Sequence, residues 1–336
     1  MLSFVWTDPL PIYSGRGGTE SFTIGHVREL LRRGIDARII TIGLGESDGR
    51  QFFPDIPFVS FKHVSQLSRL NDTLVFVSRA PRVKTRRKAF VILHTPPIVA
   101  NLRPANPEYI LTKTILTNSR YSQKVWADYL KIPKRKIKIV YPFADPAFAI
   151  VKRKPKTSKE VRVLYAGRLT IEKGIYTFIE SLHHKILKKG FRFTVATAGN
   201  QTEDGQILDK FLRFHPWIHV VDAAHNPEQT AKLFASHDIV VMPSNHDYWH
   251  EAFGMISIEA QHTGTRVVAS RDVGLVETNC GGLTLFQPGN SYALAKAIVN
   301  TAKKGPIPNA KRQQMTRHFT LTQSVDSLLE AVSDPE

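Results

Sequence analysis

The sequence predicts an α/β protein in which two similar domains face each other across a cleft. Apolar, strand-like segments alternate with amphipathic helical segments along the chain, a pattern typical of parallel sheets with crossover helices. The 336 residues are enough for two domains that each bury a core. A polar, proline-bearing stretch at 151–160 separates two such series. We therefore assign residues 1–150 to an N-terminal domain, 151–310 to a C-terminal domain and 311–336 to a helical segment that packs back toward the N-terminal domain.

In the N-terminal domain, LSFVW is a short buried strand, and TESFTIGHVRELLRRG carries apolar residues at helical spacing before it ends at Gly34. Apolar and β-branched runs then predict four further strands, DARIITIG, TLVFVS, AFVILH and ILTKTILTNS. SRYSQKVWADYL follows as an amphipathic helix, and IKIVYP is the strand that closes the domain.

The C-terminal domain repeats the alternation. Its predicted strands are VRVLYAG, FRFTVATAG, WIHVVD, DIVVMPS, RVVAS and LTLF. Between them lie the predicted helices GIYTFIESLHHKILKKG, GQILDKFLRF, PEQTAKLFASH and one that starts near Gly254, with more helices from Ser291 onward.

Composition limits the class of protein. Hydrophobic residues at 42% and charged residues at 22% are typical of a soluble globular chain. No apolar run approaches the roughly 18 residues of a membrane-spanning helix, and the start MLSFVWTDPLP reaches Asp8 too soon for a secretory signal. We therefore expect a cytoplasmic protein. Cys280 is the single cysteine, which excludes an internal disulfide and a cysteine-based metal site.

The charge is concentrated in the first half of the chain. Residues 1–154 hold 26 Lys and Arg against 11 Asp and Glu, a balance of +15 out of the total +17. The densest clusters are 82–88, 131–138 and 152–154. Such a surface attracts anionic lipid headgroups, acidic glycans or nucleic acid. The alternative is a set of solvated lysines and arginines without a specific partner.

The stretch HEAFGMISIEA contains the most informative residues. Glu251 and Glu259 lie eight residues apart around a glycine, directly after the strand DIVVMPS. If a helix starts near Gly254, the first amides, those of Gly254, Met255 and Ile256, have no partner within the helix and favour an anion such as phosphate. Backbone that holds phosphate and carboxylates that hold hydroxyls suit a sugar nucleotide. Two glutamates on a helix after a glycine also occur without any function.

Three further segments carry candidate residues. YSGRGGTE joins the first strand to the first helix, and Gly17 and Gly18 let the backbone approach a phosphate or a sugar. YAGRLTIEKGI places Arg168 and Lys173 on a loop after a buried strand. VILHTPP places His94 at the end of a strand.

Residues 243–277, PSNHDYWHEAFGMISIEAQHTGTRVVASRDVGLVE, resemble the donor-site signature of the retaining GT-B glycosyltransferases of family four. The pattern is Pro-Ser, then Glu-x-Phe-Gly, a second Glu followed by Ala, a small-residue turn, a Val-Val strand and a loop that ends in Glu. YAGRLTIEKGI is similar to the family's G-R-L-x(3)-K-G, and YSGRGGTE to its P-x-x-G-G-x-E. The family's fold is GT-B, two Rossmann-like domains that face each other across a cleft.

The resemblance assigns roles in the C-terminal domain. It implies that Arg168 and Lys173 bind the donor diphosphate, where two fixed cations stabilise the departing charge without a metal. Glu259 would bind the ribose hydroxyls and Glu251 the sugar hydroxyls. The backbone of Phe253, Gly254, Met255 and Ile256 would also hold the sugar.

In the N-terminal domain, the resemblance implies that Gly17 and Gly18 belong to the acceptor-side loop and also contribute to donor binding. It also implies that His94 gives the sugar a hydrogen bond, or meets developing positive charge through its carbonyl, rather than acting as a base. TNSRYS and VYPFAD match segments near the hinge between the domains. There Phe143-Ala144 replaces the usual Asn-Gly, which leaves the geometry of that turn open.

The resemblance therefore implies a retaining, metal-independent hexosyl- or N-acetylhexosaminyltransferase. We expect a nucleoside-diphosphate sugar as donor, with UDP favoured over GDP, no cofactor, and a lipid-linked or cell-envelope glycan as acceptor. The basic N-terminal domain would dock to an anionic membrane surface at the inner face of the cell membrane. His246 and His250 lack a matching carboxylate pair, and no Asp-x-Asp is present for a divalent metal.

Two alternatives remain open on the sequence. An enzyme of another reaction type, a sugar-nucleotide epimerase or a phosphorylase, would have the same architecture, although nothing nominates the pyridoxal-phosphate lysine that a phosphorylase needs. A non-catalytic nucleic-acid-binding protein would use the basic domain alone. The intact donor motif disfavours nucleic acid as the partner, because such a protein would not need Glu251.

Overall fold

The computed structural model describes residues 1–13, 17–97, 106–153, 159–197, 202–224 and 226–333. The chain forms two compact units. The first contains Met1–Phe143 and the C-terminal segment from Leu321 onward, and the second contains Ala144–Thr320.

The first unit is built on a seven-stranded parallel sheet, because each strand is a short apolar run that pairs in register with its neighbours. The strand order is β3-β2-β1-β4-β5-β6-β7. Phe58–Phe61, the edge strand β3, was not predicted, because it is short and only partly buried along its length. The bounds are β1 Leu2–Trp6, β2 Ala37–Ile42, β3 Phe58–Phe61, β4 Thr73–Val77, β5 Ala89–Leu93, β6 Thr114–Thr117 and β7 Ile137–Ile139.

Helices α1 (Gly18–Arg32), α2 (Pro107–Leu111), α3 (Arg120–Leu130) and α12 (Leu321–Ser333) complete the first unit. The last of these packs against α1: the Ser324 hydroxyl lies 3.1 Å from His26 Nε2, and Arg33 pairs with Asp326 at 2.5 Å. Val325 and Leu328 are fully buried in the same apolar core as α1. This C-terminal helix is therefore part of the first unit's core.

Packing explains why position 143 is a phenylalanine, where the family that the sequence resembles has an asparagine. Phe143 is buried and lies against the rings of Phe22 and His26, with centroids 6.5 and 5.6 Å away. Gly25 makes room for it, since a Cβ there would lie 2.2 Å from the Phe143 ring. The large side chain and the glycine therefore fit each other.

The second unit has a six-stranded parallel sheet of order β10-β9-β8-β11-β12-β13. The strands are β8 Val161–Gly167, β9 Phe191–Thr197, β10 Ile218–Asp222, β11 Ile239–Met242, β12 Arg266–Ser270 and β13 Leu283–Phe286. The helices are α4 Pro146–Ile150, α5 Ile175–Leu182, α6 Glu203–Phe214, α7 Pro227–Ala235, α8 Met255–His262, α9 Val273–Val276, α10 Ser291–Lys303 and α11 Asn309–Met315. The prediction of two Rossmann-like α/β units is confirmed.

The chain passes from the first unit to the second before α4, not within the linker at 151–160. Arg312 on α11 explains this position, because its guanidinium donates to the carbonyls of Phe148, Ala149 and Val151 at 3.3, 2.9 and 2.8 Å. These bonds hold the end of α4 to the second unit. The observed units therefore differ from the expected bounds at residues 150 and 310.

Two predicted elements were wrong in extent. ILTKTILTNS was predicted as one strand, but α2 covers its start, because Asn106 caps that helix by accepting from the Glu108 amide at 2.9 Å. The helix at Ile175 was predicted to run to Gly190 but ends at Leu182. There, i→i+3 bonds from the amides of His183 and His184 close the last turn. Both histidines therefore follow the helix instead of lying on it.

None of the helices in the described part of the chain has the length and apolar character needed to cross a bilayer.

Candidate functional site

The predicted donor residues gather at the carboxyl edge of the second sheet. Strands β8, β11 and β12 are neighbours in that sheet, and all run in the same direction. The loops that follow them carry Arg168 and Lys173, then Ser244 and Glu251, then Asp272. In open parallel sheets this edge is where ligands bind.

Glu251 is held by two partners. The Lys173 ammonium is hydrogen-bonded to Glu251 Oε1, and the Ser244 hydroxyl donates to the same oxygen at 2.9 Å. Burial alone would raise the pKa of Glu251, but the charge and hydrogen bond of Lys173 and the bond from Ser244 bring the pKa below its usual value. Glu251 is therefore an ionised carboxylate with a fixed position.

The loop that carries Lys173 is fixed by its backbone. Gly174 has a φ of 69°, and a Cβ there would lie 1.7 Å from the Pro243 carbonyl oxygen, so only glycine fits. The buried Tyr165 hydroxyl donates to the carbonyl of Arg168 at 2.9 Å and lies 3.4 Å from that of Lys173. Together these contacts set the direction in which the two cations leave the loop.

Arg168 is more accessible than Lys173. Its side chain is 58% exposed and pairs with Glu172, four residues further on, at 3.3 Å. An ion pair whose arginine lies at the surface is worth little. The guanidinium can therefore exchange Glu172 for a doubly charged phosphate group at small cost.

The helix after Glu251 begins where it was predicted. Helix α8 starts at Met255, and Gly254 caps it with a φ of 96°. A Cβ on Gly254 would lie 2.4 Å from Leu275, so the position requires glycine. The amides of Met255 and Ile256 lie in the first turn, where no earlier helical carbonyl accepts from them. The Phe253 ring is buried edge-on against Phe319 at 5.2 Å, so only its backbone can contact a ligand.

Glu259 lies in the second turn of α8 and is half-buried. Burial, with the nearby charge of Asp145 as a smaller cause, raises the pKa of Glu259 to about 8. The carboxyl group is therefore largely protonated at neutral pH. In that state it can both donate to and accept from a ribose hydroxyl.

Gly17, Gly18 and His94 belong to the first unit. Gly17 caps α1 in an extended conformation, and Gly18 is the first residue of that helix. Ser14 to Arg16, within the predicted loop YSGRGGTE, lie outside the described residues.

His94 follows β5 and is almost completely buried. Burial, with a small contribution from the neighbouring His26, lowers the pKa of His94 to about 3, so the ring is neutral. A ring with so low a pKa is a weak base, which agrees with the expectation that His94 hydrogen-bonds the sugar and does not accept a proton. Its Nε2 is buried without a hydrogen-bond partner among the described residues. The His94 carbonyl accepts from the Asn118 amide at 3.1 Å, so one of its two lone pairs is already used.

Sequence reasoning missed two residues of this edge. Asp272 is buried and accepts hydrogen bonds from the Glu251 amide and the His250 ring, both at 2.6 Å. Tyr165 is the second, because its hydroxyl contacts the carbonyls of Arg168 and Lys173 and so fixes the loop that carries both cations. The signal for Asp272 is weak in the sequence, because an aspartate after a strand is an ordinary helix cap.

Gln261 and Cys280, which lie near this edge in the sequence, have structural roles. Gln261 accepts from the amides of Cys280 and Gly282 at 2.9 and 3.0 Å, which fixes the loop before β13. Burial raises the pKa of the Cys280 thiol to about 12, so it is unreactive. In the described ranges, no three His, Cys, Asp or Glu side chains are grouped so that they would hold a metal ion.

Comparison with known proteins agrees with this geometry. Residues 160–304 match the family model described as glycosyl transferases group 1. A glycogen synthase from Mycobacterium tuberculosis is 28% identical over 175 residues, which are 50% of this chain and 41% of that protein. The chain thus spans less than half the length of this curated relative.

Solved structures are similar over nearly the whole chain. A glycosyltransferase from Rickettsia africae superposes with a TM-score of 0.78 at 20% identity, covering 98% of this chain and 96% of that one. The Anabaena protein HepE, in complex with UDP, gives a TM-score of 0.69 at 16% identity, covering 99% of each chain. At these identities the likeness establishes the fold. The chain is therefore similar over 160–304 to the glycosyl transferases group 1 family, and its fold is GT-B.

Proposed function

We propose that this protein transfers a sugar from a nucleoside-diphosphate sugar to a glycan acceptor. The observation that carries the proposal is the cluster in which Lys173 and Ser244 hold the Glu251 carboxylate just before the start of α8. A cation, a carboxylate and free helix amides lie within one small region. That combination suits a diphosphate joined to a polyhydroxylated ring.

The donor roles follow from position along this edge. Arg168 and Lys173 bind the diphosphate, and their charge stabilises the leaving group as the anomeric bond breaks. Glu259 binds the ribose, and Glu251, kept ionised by Lys173, accepts a hydrogen bond from a sugar hydroxyl. UDP is the favoured nucleotide, and the Anabaena HepE structure, which is a complex with UDP, supports that choice.

The reaction proceeds with retention and without a metal. In the family that the chain resembles, the leaving phosphate deprotonates the acceptor on the same face of the sugar. Glu251 then positions the sugar and forms no covalent bond with it. Two cations supply the charge that a magnesium or manganese ion would otherwise provide. Turnover should therefore survive excess chelator, and the anomeric configuration of the product, read by NMR, should match that of the donor.

The acceptor is a lipid-linked or envelope glycan, and the first unit docks to an anionic membrane surface. Exposed cations precede the two strands that flank β6, at the amino edge of the first sheet. We call this set the basic edge: Lys84, Arg86, Arg87 and Lys88 before β5, and Lys131, Lys134, Arg135 and Lys136 before β7. Within the basic edge, Arg86 donates to the Asn71 side chain, just before β4, at 3.2 Å.

Calorimetric titration with UDP, GDP, ADP and dTDP tests the donor assignment. At least one nucleotide should bind, and Arg168→Ala should raise its Kd roughly tenfold, the scale of a charged hydrogen bond. Arg192→Ala is the matched control: it removes an exposed arginine near the start of β9, at the opposite edge of the same sheet. If none of the four nucleotides binds, or if both arginine variants bind equally well, the proposed donor site is wrong.

A further inference from the structure

Asp272 connects two segments of the second unit, the loop that carries His250 and Glu251 and the start of α9. It follows β12 and caps α9, where its Oδ1 accepts from the Val273 amide at 2.8 Å. The same oxygen accepts from His250 Nδ1, and Oδ2 accepts from the Glu251 amide, both at 2.6 Å. One carboxylate therefore receives three donors, two of them from residues directly before the donor helix.

Burial makes these bonds necessary. The Asp272 side chain is 1% exposed, and a carboxylate removed from water is stable only when its oxygens are hydrogen-bonded. Glu251 is also buried, so its amide would be left without an acceptor if Asp272 were removed. Asp272 thus fixes the main chain of Glu251, whereas Lys173 and Ser244 fix its side chain.

The backbone of α9 packs directly on the same place. A Cβ on Gly274 would lie 2.0 Å from the Glu251 carbonyl oxygen and 2.6 Å from the Ala252 carbonyl carbon. No larger residue fits there unless Glu251 moves. The start of α9 is therefore a support against which the Glu251 segment rests.

His250 is held in one tautomer by this contact. A carboxylate oxygen only accepts, so His250 Nδ1 carries a proton, and in the neutral ring Nε2 is then the acceptor nitrogen. The ring also stacks on His246, with centroids 5.9 Å apart and planes within 9°. Its side chain is 44% exposed, beside a buried Glu251. Asp272 therefore orders a polar, accessible ring next to the carboxylate that is assigned to the sugar.

We infer that Asp272 is a positioning residue for the transferred sugar, acting through the main chain of Glu251 and the ring of His250. The inference rests on the proposed function and adds Asp272 and His250 to it as the residues that position the sugar in the donor site. Asp272 has no contact with Arg168 or Glu259 in the described hydrogen bonds, so it should affect the sugar and not the nucleotide. The expected signature is a loss of kcat with an unchanged nucleotide Kd.

Asp272→Asn and His250→Ala test this on the full chain, with nucleotide Kd from calorimetry and kcat from release of nucleoside diphosphate. An amide has one accepting oxygen in place of two, so Asp272→Asn cannot satisfy all three donors. Each variant should lower kcat about tenfold or more and change Kd less than about threefold. His250→Asn, which keeps a donor near Nδ1, should recover part of the loss. The matched control is Asp247→Asn, an exposed acid of the same loop.

The outcomes separate the inference from the proposed function. If the wild type turns over a nucleotide sugar while Asp272→Asn and His250→Ala keep full kcat, the inference is wrong and the proposed function stands. If the wild type neither binds nor turns over any nucleotide sugar, both fail. Nitrogen-15 NMR of the wild type should show His250 protonated at Nδ1, and a ring protonated at Nε2 alone would overturn the inference. If Asp272→Asn does not fold, the two His250 variants and this spectrum decide.

Discussion

Glu251 and Lys173 neutralise each other in the second unit, and this contact changes what removal of Glu251 should do. Glu251→Ala releases Lys173, which is then available to the diphosphate alone. The Kd for UDP should therefore stay within about threefold of the wild type or decrease. Turnover should fall by roughly two orders of magnitude, the scale of a lost polar contact in a transition state.

The control for Glu251→Ala is Glu172→Ala, because Glu172 pairs with the other donor cation, Arg168, at the surface. That variant also releases a cation but removes no group assigned to the sugar, so its kcat should remain near the wild-type value. A Kd that rises tenfold in Glu251→Ala would contradict the separation of the sugar and nucleotide contacts.

Glu259 should make the stability of the protein depend on pH. Its pKa in the folded protein is about 8, well above its usual value in an unfolded chain. Between those two values the folded state binds more protons than the unfolded state. The stabilisation is complete below the unfolded pKa, and it is lost as the pH rises through 8. For a single proton the slope approaches about 1.4 kcal/mol per pH unit.

Glu259→Gln removes that titration while it keeps the size of the side chain. Urea unfolding at pH 5, 7 and 9 should show wild type and variant closest at pH 5, with the variant gaining on the wild type toward pH 9. A difference that stays constant across the three pH values would show that Glu259 is ionised throughout.

At the scale of elements, the turn at Gly174 should be the most sensitive point of the cationic loop. Gly174→Ala combines a φ of 69° with a methyl group 1.7 Å from the Pro243 carbonyl oxygen. Because the backbone must move, Lys173 should shift from Glu251, and the Kd for UDP should rise at least tenfold. Calorimetry measures that Kd, and thermal unfolding measures the accompanying loss of stability.

Gly190→Ala separates the effect of the methyl contact from that of the backbone angle. Gly190 has a φ of 82° in the same unit, but a Cβ there meets no atom within 4 Å. It should cost about 1–2 kcal/mol, through the left-handed angle alone, and leave UDP binding intact. Equal losses of binding in the two variants would mean that the close approach to Pro243 is not what positions Lys173.

The length and burial of each element explain which strands and helices could be predicted from the sequence. Strong apolar runs such as Ile239–Met242 were predicted correctly, because they are central strands buried along their whole length. The start of α8 was also predicted, since Gly254 marks it. The partly buried strand Phe58–Phe61 and the four-residue helix Val273–Val276 were not, because their patterns are too short to show a period.

In the candidate site, the individual residues could be predicted from the sequence, but the contacts between them could not. Glu251, Lys173 and Arg168 were predicted because a motif of fixed spacing carries them. Their mutual arrangement was not, because the Lys173–Glu251 contact joins residues 78 positions apart. Asp272 was missed for the same reason: two of its three hydrogen bonds, those from His250 and Glu251, depend on the neighbouring positions of β11 and β12 in the sheet, and local sequence does not contain that information.

At the scale of the whole molecule, the excess of positive charge has a defined place on the first unit. The basic edge lies where β5 and β7 begin, whereas His94 and Asn118 lie where β5 and β6 end. A strand of five residues is about 16 Å long, which exceeds the Debye length at physiological ionic strength, about 8 Å. Charge on the basic edge should therefore act on docking and leave the chemistry nearly unchanged.

Sedimentation with liposomes tests the docking. Binding of the wild type should rise with the content of anionic lipid and fall in high salt, since each basic residue near such a surface contributes on the order of 1 kcal/mol. Replacing Arg86, Arg87 and Lys88 with Ser should reduce sedimentation at least tenfold, while donor turnover with a soluble acceptor stays within about twofold.

The control replaces three exposed lysines of the second unit, Lys185, Lys188 and Lys189. It removes the same charge from another place and should reduce binding much less. Equal losses in the two triple variants would mean that net charge, and not the basic edge, attracts the membrane. If the wild type ignores anionic vesicles even at low salt, the membrane proposal is wrong, and the basic edge would then be a solvated surface without a lipid partner.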